Sequence, residues 1–147
     1  MPTSKNTRSA NVGHLCHRTS RAITNDLNKR FSEAALGVTA EQWRVLTALW
    51  EHDGLTQNEL SRAIAQEKTG VSRLVDGLER RGLVVRNSDP RDQRIKRINL
   101  SGKAEEQRPR LESLAQETLD KARSGISRDD LETCMSVLQK MQENMAE

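Results

Sequence analysis

The chain is poor in aromatic residues, with one phenylalanine, two tryptophans and no tyrosine among 147 residues. Proteins that bind single-stranded nucleic acid stack the bases on aromatic side chains, so this shortage disfavours that function. Long apolar runs are also missing, since none approaches the ~20 residues that a membrane-spanning helix needs. The first residues, 1–13, lack the apolar segment of a secretory signal. We therefore expect a cytoplasmic protein without a membrane partner.

The sequence also lacks the motifs of catalysis and metal binding. It has no phosphate-binding glycine loop, nucleophile elbow or HExxH helix, so we expect no enzymatic activity and no cofactor. The two cysteines, Cys16 and Cys134, lack paired spacing, and a structural disulfide is rare in the cytosol. His14 and His17 flank Cys16 and could share an ion, but a zinc site needs more ligands at matched spacing. We expect no metal.

Charge is distributed unevenly along the chain. Charged residues make up 31% and hydrophobic residues 34%, which fits an elongated helical chain that buries its apolar stripes against a second copy. Residues 68–110 carry twelve basic and six acidic side chains, a net charge of +6, whereas residues 111–147 carry four basic and eight acidic ones, a net charge of −4. This asymmetry suggests one surface for a polyanion, and a solvated face without a partner is the alternative.

Three helix starts share one sequence signature. Thr39 with Gln42 and Thr56 with Glu59 form capping boxes, in which two side chains satisfy amides at the first turn. Ser127 begins a weaker version of the same pattern. Each is flanked by the apolar pair of a hydrophobic staple. These patterns predict helices that begin near residues 40, 57 and 128.

Apolar periodicity completes the prediction of the elements. Gly37 is expected to close the first helix, and Ala63 to be buried on the third. Pro109 should kink the fifth helix or delay its regular part. The predicted fold class is mainly α with a small β-hairpin wing, a winged helix-turn-helix plus a helical dimerisation region. The helices are expected over about residues 12–35, 40–52, 57–66, 69–81, 103–124 and 128–145, and the strands over residues 83–86 and 95–100.

The fourth helix has the features of a DNA-recognition helix. On the face opposite its apolar stripe, mostly near the amino-terminal end, lie Lys68, Thr69, Ser72, Arg73 and Asp76. A recognition helix places its first residues against base edges in the major groove, where Arg can donate two hydrogen bonds to guanine. The short turn at residues 66–68 is typical of a helix-turn-helix. An amphipathic surface helix that binds nothing is the alternative.

The tip of the hairpin shifts the balance toward DNA binding. Asp89 and Pro90 suit the first positions of a type I turn, which holds Arg91 and Arg94 on a loop of fixed shape. An Arg on such a loop can enter a narrow minor groove, where the potential is most negative. Asp92 cannot favour phosphate, and we expect it to pair with a neighbouring Arg. A basic solvent-exposed loop is the alternative.

The hairpin sequence resembles the wing signature of the MarR family of transcriptional regulators. That signature is DxRDxR followed by a strand that ends in Leu-Thr or Leu-Ser. Here residues 89–94 read DPRDQR, and Leu100-Ser101 ends the strand. Residues 57–61 and 72–84 resemble the family as well. The wing, the recognition helix and the flanking helices thus occur in the family's order.

The resemblance extends over about residues 12–146 and is most specific over residues 56–101. It implies a symmetric dimer in which the first and the last two helices associate. The final helix agrees, because its apolar residues have the a/d spacing of a coiled-coil seam, namely Leu131, Cys134, Leu138, Met141 and Met145. The expected domains are a disordered tail at 1–10, a dimerisation helix at 11–36, a winged helix-turn-helix DNA-binding domain at 38–100 and dimerisation helices at 101–147.

The resemblance also implies how each part meets DNA. By position, Lys68, Thr69, Ser72 and Arg73 would contact the major groove, and the wing contacts would be Arg91 and Arg94. A two-fold dimer predicts a near-palindromic site with half-sites about one helical turn apart. Repression is the family default. The expected function is a sequence-specific transcriptional regulator that a small ligand or an oxidant releases from double-stranded DNA.

Members of the family often bind small aromatic or anionic compounds between the dimerisation and DNA-binding regions. In this chain Arg18, Arg21, Trp43 and Arg44 could line such a cleft. The alternative is that Trp43 is a packing anchor and that the Arg side chains are solvated. A winged-helix module that binds proteins and not DNA is the alternative for the whole chain.

Cys16 lies where the peroxide-sensing branch of the family has a reactive cysteine. That branch activates its thiolate with nearby tyrosines, which this chain lacks. His14, His17 or Arg18 could lower the pKa of the thiol instead. The expectation that we favour is a buried, inert cysteine, because free cysteine is usually a small core residue.

Overall fold

The structure, a computed structural model, describes residues 11–146. The predicted tail at 1–10 lies outside the described residues. The mainly α fold with a small β wing is confirmed, with elements close to those predicted. In the described part of the chain they are α1 (Val12–Glu33), α2 (Ala40–Glu51), β1 (Leu55–Thr56), α3 (Gln57–Ala63), α4 (Lys68–Arg80), β2 (Val84–Ser88), β3 (Lys96–Leu100), α5 (Gly102–Arg123) and α6 (Arg128–Met145).

The predicted caps are confirmed. At α2 the Gln42 amide donates to Oγ1 of Thr39 at 3.1 Å, and the Thr39 amide donates back to Oε1 of Gln42 at 3.0 Å. Thr56 and Glu59 make the same reciprocal pair at α3, with distances of 3.2 and 2.8 Å. Oγ of Ser127 accepts one amide at the start of α6. Local sequence therefore determines where these helices begin.

Two helix ends differ from the prediction. The left-handed residue that closes α1 is Ala35, with φ of +57°, and not Gly37, because the Leu36 amide already bonds back to the Phe31 carbonyl at 3.2 Å. α3 ends at Ala63, about three residues early, and the prediction that Ala63 is buried is wrong because its side chain is exposed.

The sheet contains a strand that the sequence pattern does not predict. β1 is only two residues long and pairs antiparallel with β3, where Leu55 lies opposite Ile98. β2 pairs with the other side of β3, from Val84 opposite Leu100 to the tip. The strand order is therefore β1-β3-β2. A two-residue strand has no measurable alternation, so only its partner reveals it.

The core lies between the helix-turn-helix and the first and fifth helices. α4 approaches α2 closely at Gly77, where an added Cβ would lie 2.6 Å from Nε2 of Gln42. Pro109 does not delay α5, which is continuous from Gly102. The largest fully buried side chains are Phe31, Leu46, Leu49, Leu60, Leu78, Leu83, Ile98, Leu111, Val45, Val71, Val75 and Val84.

A polar cluster joins α1 to α5. Oδ2 of Asp26 accepts hydrogen bonds from Nε of Arg30 and Oγ1 of Thr118, both at 2.8 Å. Lys121 lies 3.1 Å from the other carboxylate oxygen. The hydrogen bond from Arg30, followed by those from Thr118 and Lys121, holds the pKa of Asp26 well below its ordinary value.

α6 is the element that packs least against the rest of the chain. None of its side chains is buried in the described structure. Several of its apolar side chains are instead exposed to solvent, namely Met135, Val137, Leu138 and Met145. An apolar face of this kind on a helix marks an interaction surface.

Candidate nucleic-acid interface and effector cavity

The predicted DNA contacts of α4 lie opposite its buried stripe. Lys68, Thr69 and Arg73 are exposed, and Ser72 is half-buried. No side chain forms a capping hydrogen bond at the start of the helix, where Glu67 is the N-cap residue. Backbone amides at a helix N-terminus attract anions, so this end of α4 suits a phosphate oxygen. The prediction that these side chains lie outside the buried stripe is confirmed, and their contact with DNA stays a prediction.

Hydrogen bonds in the turn between α3 and α4 connect the two helices. Ala65 has a left-handed backbone with φ of +53°. The amide of Gln66 donates to the carbonyl of Ser61 at 3.0 Å, and the Ser61 hydroxyl donates to the Gln66 carbonyl. Nε2 of Gln57 then donates to the carbonyl of Lys68 at 3.4 Å. These bonds fix where α4 begins relative to α3.

Asp89 organises the tip of the wing. Its side chain is buried, and Oδ1 accepts the amides of Arg91 at 2.7 Å and Asp92 at 3.3 Å. Oδ2 accepts Nε of Arg97 at 2.7 Å. The Arg97 guanidinium, followed by the Arg91 amide, lowers the pKa of Asp89. The carboxylate therefore stays charged and closes the turn that presents the wing arginines.

Arg97 anchors this turn to the helix-turn-helix, a role that the sequence analysis missed. Its Nη1 donates to the carbonyl of Gly54 at 3.0 Å and lies 3.8 Å from Oε1 of Glu59. The side chain thus links β3 to the loop before β1 and to α3. The sequence signal for this role is weak. Arg97 is one of two adjacent basic residues in β3, and it directly precedes Ile98, which is buried.

The two wing arginines differ in their partners. Arg94 is exposed and makes two hydrogen bonds of 3.1 Å to the carboxylate of Asp92, as the sequence predicted for that aspartate. This pair lowers the pKa of Asp92 and raises the pKa of Arg94. Arg91 is also exposed and belongs to no ion pair in the described part of the chain. Its charge is therefore available to an external anion.

An apolar cavity of about 900 Å³ lies between α1, the start of α2 and α6. Its walls include Leu15 and Ile23 of α1 and Leu138 and Met141 of α6. Arg44 is the only charged residue among those that line it in the described range. A cavity of this size with a single cation suits a small, largely apolar anion.

The structure brings together two of the four predicted ligand contacts. Trp43 and Arg44 line the cavity, whereas Arg18 and Arg21 lie outside it. The apolar stripe of α1 faces the cavity, and these two arginines fall outside that stripe by helical spacing. Trp43 is also a packing anchor, since its ring contacts Phe31 edge-on with centroids 5.8 Å apart. Trp43 therefore both lines the cavity and anchors the packing against Phe31.

The expectation that Cys16 is buried is wrong. Cys16 and Cys134 are both exposed, and both line the cavity from opposite helices. The reason is that α1 buries side chains only near its end, at Leu27 and Phe31, so its first turns extend past the core. An inert thiol is packed among neighbouring side chains, and the described part of the chain does not bury this part of α1.

Between residues 11 and 146, no three histidine, cysteine or acidic side chains are placed to hold a metal ion. Over the same range, no helix combines the length and the hydropathy that crossing a bilayer requires.

Comparison with known proteins agrees with this geometry. The family model described as MarR family matches residues 36–95. The solved transcriptional regulator PA3341 is 34% identical, and the match covers 92% of this chain and 98% of that one with a TM-score of 0.80. CouR from Rhodococcus jostii RHA1, bound to p-coumaroyl-CoA, is 25% identical over 93% of this chain and 95% of its own, with a TM-score of 0.81.

A third structure matches the fold over the whole length. BpsR of Bordetella bronchiseptica, whose DNA binding is regulated by 6-hydroxynicotinic acid, is 21% identical with full coverage of both chains and a TM-score of 0.85. The chain has a winged helix-turn-helix between flanking helices. It is also 34% identical to a solved transcriptional regulator. The protein belongs to the MarR family of winged helix transcriptional regulators.

Proposed function

We propose that this protein binds double-stranded DNA sequence-specifically as a homodimer and represses transcription from a near-palindromic operator. The observation that carries the proposal is that basic side chains are exposed both on α4 and at the wing tip. The turn at the tip is held by the contacts of Asp89 with the Arg91 amide and with Arg97. Such a protein acts where the chromosome is, in the cytoplasm, and needs no enzymatic activity of its own.

The two parts of this surface would contact different grooves. Lys68, Thr69, Ser72 and Arg73 are presented by a helix and would lie in the major groove. Arg91 and Arg94 are presented by a narrow hairpin and would lie in the minor groove, where Arg is favoured by the negative potential. Base edges would therefore be read by α4, and the wing would mainly add affinity.

The test begins with selection of genomic fragments by purified wild-type protein, followed by titration of the recovered site. Arg73→Ala should lose about 1–3 kcal/mol of discrimination at the contacted base, whereas Arg94→Ala should weaken all sequences alike. Arg128→Ala, at the exposed start of α6, is the matched control and should bind as wild type does. Unchanged specific affinity in both Arg73 and Arg94 variants would overturn the proposal.

The same experiment separates DNA binding from the competing function of a protein-interaction module. A protein-binding module would recover no sequence from the selection and would bind DNA only weakly, with no preference between fragments. For the proposed regulator, the binding constant should fall steeply with salt, because each neutralised phosphate releases counterions.

The homodimer is supported by the exposed apolar faces of α1 and α6. Val12 and Leu15 are exposed on α1, and Leu138 and Met145 on α6. The acidic carboxyl-terminal quarter, residues 111–147, would keep this region away from DNA. Two copies joined here would place their α4 helices about one turn of DNA apart.

We also propose that a small aromatic or anionic effector binds the cavity and releases the DNA. Arg44 supplies the one cation and Trp43 an aromatic wall. Regulation of BpsR by 6-hydroxynicotinic acid and the complex of CouR with p-coumaroyl-CoA support this class of ligand. In the dimer the partner would close part of the cavity, so occupancy would alter how the two copies pack.

Paired probes test the effector site. Benzoate should quench tryptophan fluorescence and weaken DNA binding, and benzyl alcohol, which has the ring without the charge, should do so only at much higher concentration. Arg44→Ala should abolish this difference between the probes, whereas Arg21→Ala, outside the cavity, should keep it. Equal effects of the two arginine variants would contradict an effector site at Arg44.

Release by an oxidant is a second candidate, favoured by the exposure of Cys16 in the cavity. A hydroperoxide would transfer one oxygen to the thiol, giving a sulfenic acid and an alcohol. Cumene hydroperoxide should then release wild-type protein and the Cys134→Ser variant, but not Cys16→Ser. Release of the Cys16→Ser variant at the same dose would exclude this route.

A further inference from the structure

Arg86 of β2 is held against the recognition helix by two ion pairs. Its Nη2 lies 2.8 Å from Oδ1 of Asp76, and its Nη1 lies 2.8 Å from Oε1 of Glu79. Only 22% of the Arg86 side chain is exposed, whereas its two partners are about half exposed. One guanidinium from the wing therefore engages two carboxylates on α4.

A third contact extends this network toward the predicted base contacts. Nη2 of Arg86 also donates to the backbone carbonyl of Ser72 at 3.4 Å. The acceptors at Ser72, Asp76 and Glu79 are spaced by four and three residues, so they lie along one face of α4. The planar fork of arginine can serve several acceptors at once, which a lysine ammonium does only as a point charge.

This network lies between the two parts of the proposed DNA surface. β2 leads from α4 to the wing tip, and Arg86 is the middle residue of that strand, opposite Ile98 of β3. A wing that pivots on β2 would change the distance between Arg73 on α4 and Arg91 at the tip. Contacts in two grooves add fully only when their spacing matches the duplex.

We propose that Arg86, together with Asp76 and Glu79, is a positioning element that sets the angle between the wing and the recognition helix for DNA binding. The proposal rests on the DNA-binding function proposed above. Arg86 acts through the helix and the wing and is not itself assigned to a base or a phosphate. This role explains why an acidic residue, Asp76, stands on the helix that is predicted to contact DNA: it holds Arg86.

Electrostatics and positioning predict opposite signs for one substitution. Asp76→Asn removes a negative charge next to DNA, so a purely electrostatic effect would tighten binding. If Asp76 holds Arg86, the same change frees the wing and weakens specific binding. The matched control is Glu67→Gln, which removes one negative charge at the start of the same helix, where the side chain makes no capping hydrogen bond.

The experiment measures affinity of full-length wild type and variants for the selected operator and for a scrambled duplex. We expect Asp76→Asn to weaken operator binding about tenfold and to change scrambled-duplex binding by less than about twofold. Glu79→Gln should act in the same direction, and Arg86→Lys should fall between wild type and Arg86→Met. Glu67→Gln should bind both duplexes at least as tightly as wild type. Circular dichroism melts confirm that each variant is folded.

The outcomes separate this inference from the function on which it rests. If wild type fails to prefer the operator, the proposed DNA-binding function fails. If wild type prefers the operator and Asp76→Asn binds it as tightly as Glu67→Gln does, the positioning role of Arg86 is overturned. Loss of operator preference in Asp76→Asn and retention in Glu67→Gln supports it.

Discussion

Single side chains determine whether the wing has one shape. Asp89 lies in the turn motif seen in the sequence, but its buried carboxylate does more than begin a turn, since it accepts two amides and the Arg97 guanidinium. Arg97 in turn reaches the carbonyl of Gly54. An arginine can enter a minor groove with little ordering cost only if such contacts have already fixed its backbone.

Asp89→Asn tests this at the residue scale. An amide oxygen can still accept the Arg91 amide, but the charged pair with Arg97 is lost. We expect affinity for the operator to fall about fivefold and the melting temperature to fall as well, since the buried carboxylate loses its charged pair with Arg97. Fluorescence anisotropy and circular dichroism measure the two quantities. The control is Asp129→Asn, the same substitution in the exposed first turn of α6, which should change neither the affinity nor the melting temperature. If Asp89→Asn bound the operator as tightly as wild type, the role of the carboxylate would be contradicted.

At the scale of elements, helix starts follow local chemistry and helix contacts do not. The capping boxes at Thr39 and Thr56 form as predicted, because all their atoms lie within four residues. The bond from Thr118 to Asp26 joins residues 92 positions apart and carries no sequence signal. It nevertheless joins α1 to α5.

The Asp26 cluster predicts a pH dependence of stability. Because the folded pKa of Asp26 lies below its ordinary value of 3.8, the unfolded chain binds the proton first as pH falls. The stabilisation is therefore fully present above about pH 5 and is lost progressively as the pH falls from there toward the lowered pKa of the folded state. In urea titrations Asp26→Asn should be less stable than wild type at pH 7, and the difference should shrink toward pH 3. A difference that stays constant over this range would show that the charge of Asp26 is not its cause.

At the scale of the whole molecule, the chain leaves a large apolar surface uncovered. α6 buries none of its side chains in the described structure, and the cavity between α1 and α6 is open. Most of the acidic side chains of residues 111–147 belong to the second half of α5 and to α6, whereas the basic stretch 68–110 includes α4 and the wing. A second copy on this surface would make stability depend on protein concentration.

Leu138→Glu tests the dimer. We expect wild type to sediment as a dimer at micromolar concentration, and the variant to shift toward monomer because a carboxylate would be buried in the seam. Ser136→Glu adds the same charge to the exposed helix two residues earlier, outside the a/d positions, and should remain dimeric. A folded wild-type monomer at this concentration would contradict the prediction.

Much of the fold and part of the site follow from local sequence alone. Periodicity and caps determined the helices, and the DPRDQR turn placed Arg91 and Arg94 at an exposed tip. The outer face of α4 also followed, because helical spacing separates it from the buried stripe. These features depend on residues within about one to two turns of each other, which a single sequence displays directly.

The tertiary structure decided the features that depend on packing between distant segments. It paired the two-residue β1 with β3, joined Arg86 to Asp76, and brought Cys16 and Cys134 to one cavity. It also exposed Cys16, since in the described structure α1 buries side chains only near its end. The sequence by itself thus determined which helix and which hairpin carry the residues that we propose to contact DNA. Only the packed chain determined how rigidly they are held together, because that rigidity arises from contacts between residues far apart along the chain.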